Sequence, residues 1–210
     1  MDTLLVAVLV AGVTLAELLI IRGEHRKRVA RQNAIRPVFQ GFSRLHSGVY
    51  RDQSLCKDMQ VEFKTDGSPA VLMLYTTSIR HIDLSDYARI SIVVKPRAAF
   101  DARVVLKPPV GGLLGNVGRM ILDPVARLGV QEIDNAYTVR TSDPNLARGV
   151  LTAPAVRAGL AANVGAELCV TGNEVWVEVE GEVDNPARLE GMLDLGTAVV
   201  AQLKAMGLVA

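Results

Sequence analysis

The feature that most constrains this chain is an apolar run near its N-terminus. Residues 4–21 read LLVAVLVAGVTLAELLII and contain one charged side chain, Glu17. Because an α-helix rises about 1.5 Å per residue, this run would span roughly 27 Å, close to the hydrocarbon thickness of a bilayer. The sequence therefore predicts an N-terminal transmembrane helix over residues 1–22.

A cleaved signal peptide is the competing interpretation of this run. Signal peptides carry positive charge before a shorter apolar core and a small-residue cleavage site after it. Here only Met1, Asp2 and Thr3 precede the run, which ends in LLII directly before Arg22. We therefore expect the run to be retained as a single-span anchor.

Basic residues follow the apolar run directly. They comprise Arg22 and a basic juxtamembrane segment over residues 23–36. The basic side chains are Arg22, Arg26, Lys27, Arg28, Arg31 and Arg36, against Glu24 alone. Because lysine and arginine stay on the cytoplasmic side, we expect the N-terminus outside and a cytoplasmic domain over residues 37–210, at a bacterial inner membrane. The same side chains suit anionic lipid headgroups, although setting the topology is the simpler role.

Three residues inside the run are suited to contacts with another membrane helix. Gly12 and Ala16 lie one turn apart, and small residues at this spacing let a second helix approach closely. A carboxylate in hydrocarbon is costly, so Glu17 is expected either to reach the interface near Arg22 or to bond a neighbouring helix. In the second case, the partners are other integral membrane subunits.

The charge of the remaining domain argues against a nucleic-acid partner. Six of the 23 basic and three of the 22 acidic side chains lie in residues 1–36, which leaves 17 basic and 19 acidic side chains. Nucleic-acid-binding domains need a basic surface to neutralise phosphates. We therefore expect no nucleic acid among the ligands.

The sequence lacks the usual motifs for catalysis, cofactors and metals. Cys56 and Cys169 are far apart, no CxxC pair exists, and His25, His46 and His81 have no metal-ligand spacing. We expect a non-enzyme with no catalytic residue, cofactor or metal site, and Cys169 as a reduced core thiol. The alternative is an enzyme whose site is assembled from distant residues.

Strand patterns dominate residues 60–106. Four segments read as strands: 60–63, which stops at the turn pair Asp66-Gly67, then 70–75, 87–95 and 103–106. The second, AVLMLY, is continuously apolar, which predicts a strand covered on both faces.

Prolines after capping residues mark the helices. The pairs Asp123-Pro124, Asp143-Pro144 and Asn185-Pro186 predict helices over residues 124–128, 144–151 and 186–206. Pro154 restarts a helix to about residue 163, and Pro37 is expected to end a helix that continues from the anchor. A strand over 136–140 and a hairpin over 167–182, turning at Gly172-Asn173, complete the pattern. The predicted fold is α+β: one N-terminal transmembrane helix, then a mainly antiparallel sheet with helices on one face.

A glycine-rich connector over residues 110–122 reads VGGLLGNVGRMIL. Its spacing fits neither the phosphate loop nor the dinucleotide fingerprint. We interpret it as a hinge, with Leu113, Leu114 and Val117 available to dock a partner or to touch the membrane.

The last predicted strand carries an acidic stripe, Glu174, Glu178, Glu180 and Glu182, followed by Asp184. A solvated strand face explains it better than a calcium or acid–base site. Trp176 lies within this stripe, so it is a candidate for docking a partner unless a loop of the chain covers it.

Residues 133–154 read IDNAYTVRTSDPNLARGVLTAP. This stretch resembles uncharacterised bacterial membrane-anchored proteins, in which a strand leads to an aspartate-rich turn and a helix. Asp143, Ala147, Arg148, Leu151 and Thr152 carry the likeness, which extends over roughly the last third of the chain. The resemblance implies a small anchored domain and supplies no catalytic residue.

Together these features predict a non-enzymatic accessory or assembly subunit of a larger bacterial inner-membrane complex of photosynthetic, respiratory or secretion type. The alternatives are a membrane-tethered enzyme with an unrecognised site and a lipid-binding domain that works at the bilayer surface.

Overall fold

The computed structural model of the protein describes residues 22–23, 26, 29–52, 59–79, 83–97, 102–106, 125–181 and 183–210. Contacts divide the chain into two units, one that ends at Val38 and one that begins at Phe39. Within the described ranges, no helix combines the length and the apolar character needed to cross a bilayer. The predicted transmembrane run lies outside these ranges.

The described residues form nine strands and five helices beyond residue 28. The strands are β1 (Val49–Arg51), β2 (Gln60–Thr65), β3 (Ser68–Ile79), β4 (Asp83–Val93), β5 (Ala102–Leu106), β6 (Val125–Ala126), β7 (Tyr137–Thr141), β8 (Glu167–Thr171) and β9 (Glu174–Glu180). The helices are α1 (residues 29–45), α2 (Gln131–Ala136), α3 (Pro144–Leu151), α4 (Pro154–Ala162) and α5 (Pro186–Ala205).

All nine strands belong to one sheet, in the order β1-β2-β3-β4-β9-β8-β5-β7-β6. Every strand pair is antiparallel. The predicted α+β class and antiparallel sheet are therefore confirmed. The predicted hairpin is β8–β9, and the helices predicted after Asp143, Pro154 and Asn185 are α3, α4 and α5.

One face of the sheet forms the core. Its buried side chains alternate along the central strands: Val61, Phe63, Ala70, Leu72, Leu74, Ala88, Ile90, Ile92, Val175, Val177 and Val179. Helix α5 packs on this face, because a Cβ placed on Gly196 would lie 3.1 Å from Ile92 Cδ1 and 3.7 Å from Val177 Cγ2. The end of α1 joins the same side, where the rings of Phe42 and Phe63 are 5.3 Å apart.

Two of the predicted elements are wrong because tertiary contacts override local signals. The helix does not end at Pro37 but continues to residue 45. Proline inside a helix costs about 3 kcal/mol, and the burial of Phe39 and Phe42, both within the next two turns, offsets this cost. Instead of a helix after Asp123, residues 125–126 form β6, whose register partners on β7 are Arg140 and Val139.

Two further differences concern β3 and α2. Strand β3 is not covered on both faces, since Ala70, Leu72 and Leu74 are buried while the residues between them are partly exposed. Helix α2 was not predicted, because its six residues, QEIDNA, contain one buried apolar side chain, Ile133. One buried residue gives no helical periodicity.

Candidate functional site

Three adjacent strands bring five polar and aromatic side chains together on the face opposite the core. Arg89 of β4 is the register partner of Glu178 of β9, and Tyr75 of β3 is the register partner of Tyr87 of β4. Trp176 lies two residues before Glu178 and therefore on the same face. We call these residues the Trp176 cluster: Tyr75, Tyr87, Arg89, Trp176 and Glu178.

Hydrogen bonds join three members of the cluster into a triangle. Oε2 of Glu178 accepts from the Tyr75 hydroxyl and, at 2.7 Å, from Nε of Arg89. Nη2 of Arg89 donates to Oη of Tyr75 at 3.1 Å. The side chain of Glu178 is only 13% exposed and that of Arg89 is 30% exposed. Charge-assisted bonds in such a partly desolvated setting hold the three side chains in one arrangement.

Ring contacts fix the rest of the cluster. The Cζ atom of Arg89 lies 4.4 Å from the ring centroid of Trp176 and 5.3 Å from that of Tyr75. The rings of Tyr75 and Tyr87 stack, with centroids 5.5 Å apart and an angle of 15° between planes. Guanidinium groups are attracted to the electron-rich faces of aromatic rings. The guanidinium therefore contacts both an indole and a phenol.

The surroundings of Tyr75 and Arg89 in the cluster keep both side chains protonated. Burial, reinforced by the carboxylate of Glu178, raises the pKa of the Tyr75 phenol well above its usual range. Burial alone would lower the pKa of the Arg89 guanidinium, but its bonds to Glu178 and Tyr75 outweigh that effect and raise the pKa. Near neutral pH, Tyr75 is therefore a neutral donor and Arg89 a permanent cation.

A buried hydroxyl beside the cluster has no partner among the described residues. Ser91 is the register partner of Trp176 and is 6% exposed, yet its Oγ makes no hydrogen bond. A buried polar group without a partner costs free energy.

The surroundings of the cluster are acidic. Glu180 is exposed at the end of β9, Glu174 is partly exposed at its start, and Glu167 of β8 is the register partner of Glu178. Arg89 is the cation paired with Glu178 in the interior of this face. Carboxylates therefore border the aromatic cluster along β8 and β9, while Arg140 of β7 lies further across the same face, in the register row of Trp176.

The predicted acidic stripe is thus only partly a solvated face. Glu178 is largely covered and bonded within the cluster, whereas Asp184 is exposed and Glu182 lies outside the described residues. Among the described residues, no group of three His, Cys, Asp or Glu side chains could hold a metal ion.

The other predicted site residues are distributed as follows. Arg22, Arg26 and Arg31 are helical and exposed. The rest lie outside the described residues: Gly12, Ala16, Glu17, Lys27, Arg28, Leu113, Leu114 and Val117. Their predicted roles stay predictions.

The residues of the alternative, distant-residue enzyme site do not come together where they are described. His46 lies between the rings of Phe42 and Phe63, and its Nε2 is 3.0 Å from Oε1 of Glu190 on α5. This pair is on the core side of the sheet, away from the acidic stripe. His81 and Cys56 lie outside the described residues.

Sequence reasoning identified Trp176 but missed Tyr75, Tyr87 and Arg89. Tyr75 lies in the apolar segment 70–75, for which the sequence predicts burial on both faces. Arg89 lies in a segment that is recognised as a strand by its alternating isoleucines. The signal available in the sequence was the alternation of side chains along a strand. Tyr75, Arg89 and Trp176 each lie next to core residues in sequence and therefore on the opposite face. This alternation alone does not reveal which strands are neighbours.

Among the described residues, the fold and the cluster define the class: an α+β domain with a nine-stranded antiparallel sheet and an aromatic outer face bordered by carboxylates. No family model and no curated protein matches the sequence. Among solved structures, the crystal structure of the mycobacterial trehalose monomycolate transport factor A, TtfA, is similar. Its TM-score is 0.53 at 11% sequence identity, over 81% of this chain and 94% of that chain. At this identity the likeness shows the fold alone.

Proposed function

We propose that this protein is a non-enzymatic accessory subunit of a larger bacterial inner-membrane complex. One helix over residues 1–22 tethers it, and the α+β domain works on the cytoplasmic side. The apolar run and the basic segment after it support the tether and its orientation. The name of the fold neighbour, a transport factor, agrees with an accessory role.

Among the possible host complexes, one of the secretion type that transports a lipid is favoured over photosynthetic and respiratory assemblies. The reason is the fold neighbour, which is named for the transport of trehalose monomycolate, a glycolipid.

The Trp176 cluster is the docking surface in this proposal, and it is the observation that carries it. Tryptophan, tyrosine and arginine dominate the binding energy of protein interfaces. Here they are held rigid before binding, which lowers the entropic cost of association.

The charge of the rim specifies the partner. Glu167, Glu174 and Glu180 surround the aromatic centre. A complementary surface is apolar at its centre and carries lysine or arginine at its edge. Cytoplasmic loops of integral membrane subunits are rich in these residues, so we propose such a loop as the partner.

The test is purification of the tagged full-length protein from native membranes in a mild detergent, with sizing and identification of what accompanies it. We expect a defined complex for the wild type and its loss for Trp176→Ala and Arg89→Ala. Val164→Ala is the matched control, because Val164 is 66% exposed and lies outside the cluster.

A wild-type protein that runs as a lone monomer without companions would overturn the proposal. If Trp176→Ala and Arg89→Ala retain the complete complex, the accessory role survives but the docking surface is wrongly assigned.

A further inference from the structure

A groove between α2 and α4 lies outside the proposed docking surface. Its volume is about 540 Å³, within the range of small-molecule sites, which is about 300–1,000 Å³. The side chains that line its walls are mainly apolar: Ile133, Ala136, Tyr137, Pro154, Ala158, Leu160 and Ala161.

The groove exists because α4 has two different sides. Val156 and Leu160 are buried in the core, and Gly159 approaches α5 so closely that an added Cβ would be 3.3 Å from Leu195 Cα. On the other side, Pro154, Ala158 and Ala161 are small and exposed. Small side chains on a helix fixed from behind leave a depression in front.

The polar group in the wall is already used inside the protein. The hydroxyl of Tyr137 donates to the carbonyl oxygen of Leu160 at 3.1 Å. Burial raises the pKa of this phenol, so it is neutral near neutral pH. A polar molecule would thus lose its water without gaining a hydrogen bond from Tyr137, whereas a hydrocarbon chain loses nothing there.

Charge is confined to the mouth of the groove. Arg157 of α4 forms an ion pair with Glu132 of α2, and their side chains are 46% and 73% exposed. Exposed ion pairs contribute little and are easily exchanged. A guanidinium has five N–H donors, so Arg157 can bind another carboxylate beside or in place of Glu132.

We propose that this groove binds the hydrocarbon chain of a long-chain fatty acid, with its carboxylate at Arg157. An apolar trough matches the hydrocarbon chain, and Arg157 at its mouth matches the carboxylate once the exposed carboxylate of Glu132 is displaced or shared. The inference goes beyond the accessory role, because it concerns a different surface and does not require docking through Trp176.

The test uses the full-length protein in phosphatidylcholine nanodiscs and a palmitic acid analogue that carries a photoactivatable diazirine. Cross-linked peptides are mapped by mass spectrometry, with unlabelled competitors added before illumination. We expect the label on α2 and α4. Referred to the free aqueous concentration of each competitor, which excludes the fraction in the nanodisc lipid, fatty acids of increasing length should compete about three- to fourfold better per added methylene until the groove is filled, since each buried methylene adds a constant increment.

Three variants separate the groove from general surface labelling. Ala158→Phe fills the groove and should reduce labelling of α2 and α4 at least tenfold. Ala155→Phe is the matched control, because Ala155 is exposed on the same helix but does not line the groove. Arg157→Gln should weaken competition by palmitate about fivefold or more and leave competition by hexadecanol unchanged.

The outcomes are decisive in either direction. Wild-type labelling of Ala158→Phe, equal loss in both phenylalanine variants, or label spread over the whole surface would overturn the proposal. Melting curves show whether each variant is folded. If a folded Arg157→Gln still prefers palmitate to hexadecanol, Arg157 does not bind the carboxylate. Purification of Ala158→Phe tests separately whether it still binds its partners. This distinguishes failure of the fatty-acid proposal from failure of the proposed accessory role.

Discussion

The side-chain amide of Asn163 donates to the carbonyl oxygen of Gly191 at 2.9 Å, across the contact between α4 and α5. The same nitrogen donates to the carbonyl oxygen of Gly159 at 2.8 Å. Asn163 is 3% exposed, so water does not compete for these bonds. One side chain thus joins the end of α4 to the middle of α5, behind the groove.

Replacing Asn163 should loosen this junction. Asn163→Ala removes both buried side-chain hydrogen bonds, although the backbone N–H of residue 163 still donates to Gly159, and at about 1–1.5 kcal/mol per bond we expect a loss of about 2–3 kcal/mol. For a chain of this size that corresponds to a fall in melting temperature of roughly 4–12 °C. Thermal denaturation of the full-length protein in detergent measures it, and an unchanged melting temperature would contradict the assignment.

Asn163→Asp should make the loss depend on pH. Burial and two facing carbonyl oxygens disfavour the carboxylate, so the folded-state pKa of the new aspartate should exceed the ordinary value of about 3.9. A raised folded-state pKa means that stability is retained at low pH and lost as the pH rises through that pKa. The melting temperature relative to the wild type should therefore be lower at neutral than at acidic pH.

Two helical glycines should respond to alanine with opposite signs. At Gly159 the new Cβ would lie 2.9 Å from Leu195 Cδ1 and 3.3 Å from Leu195 Cα, so α4 and α5 must move apart. Overpacking of about 1–3 kcal/mol should exceed the gain of about 1 kcal/mol in helix propensity. At Gly41 nothing lies within 4 Å, so Gly41→Ala should raise the melting temperature. A stabilising Gly159→Ala would show that the helices are less closely packed.

Stability should depend on the hydrogen-bond acceptor at the N-cap of α3, the side chain of Asp143, but not on its negative charge. Oδ1 of Asp143 accepts from the backbone N–H groups of Asn145 and Leu146 at 2.9 and 3.0 Å. Asp143→Ala should cost about 1 kcal/mol, and Asp143→Asn should be nearly neutral because it keeps the acceptor. Equal destabilisation by both substitutions, compared by thermal denaturation, would mean that the charge matters instead.

The phenol of Tyr75 should titrate later than an ordinary tyrosine. Because its folded-state pKa is raised, it stabilises the fold below the unfolded value of about 10. That contribution is lost as the pH rises through the folded-state pKa. In an alkaline titration followed by phenolate absorbance, Tyr75→Phe should remove a late component. Removal of an early component instead would contradict the buried triangle.

The elements set by local signals were predictable from the sequence. Alternating residues gave β9, and a capping residue before proline gave α3 and α5 close to their observed bounds. The same cap-and-proline rule failed at Asp123-Pro124, where pairing with β7 decides the conformation. A different rule, that proline ends a helix, failed at Pro37, where the helix continues to residue 45 and buries Phe39 and Phe42.

The candidate site was only partly predictable, for a different reason. Trp176 stood out because an indole among glutamates is unusual. Its neighbours come from β3 and β4, and Arg89 meets Glu178 across a sequence separation of 89 residues. No pattern within one strand reveals such a pairing. The groove was equally hidden, because it depends on how α4 faces the unpredicted α2.

The sheet ends in a strand of three residues, β1, on one side and a strand of two residues, β6, on the other. Among the described residues, these two outermost strands offer few backbone groups where a foreign strand could add. This geometry discourages edge-to-edge polymerisation of neighbouring copies through β1 or β6. Specific contacts with other proteins then form through side chains on the faces of the sheet and helices rather than through the sheet edges.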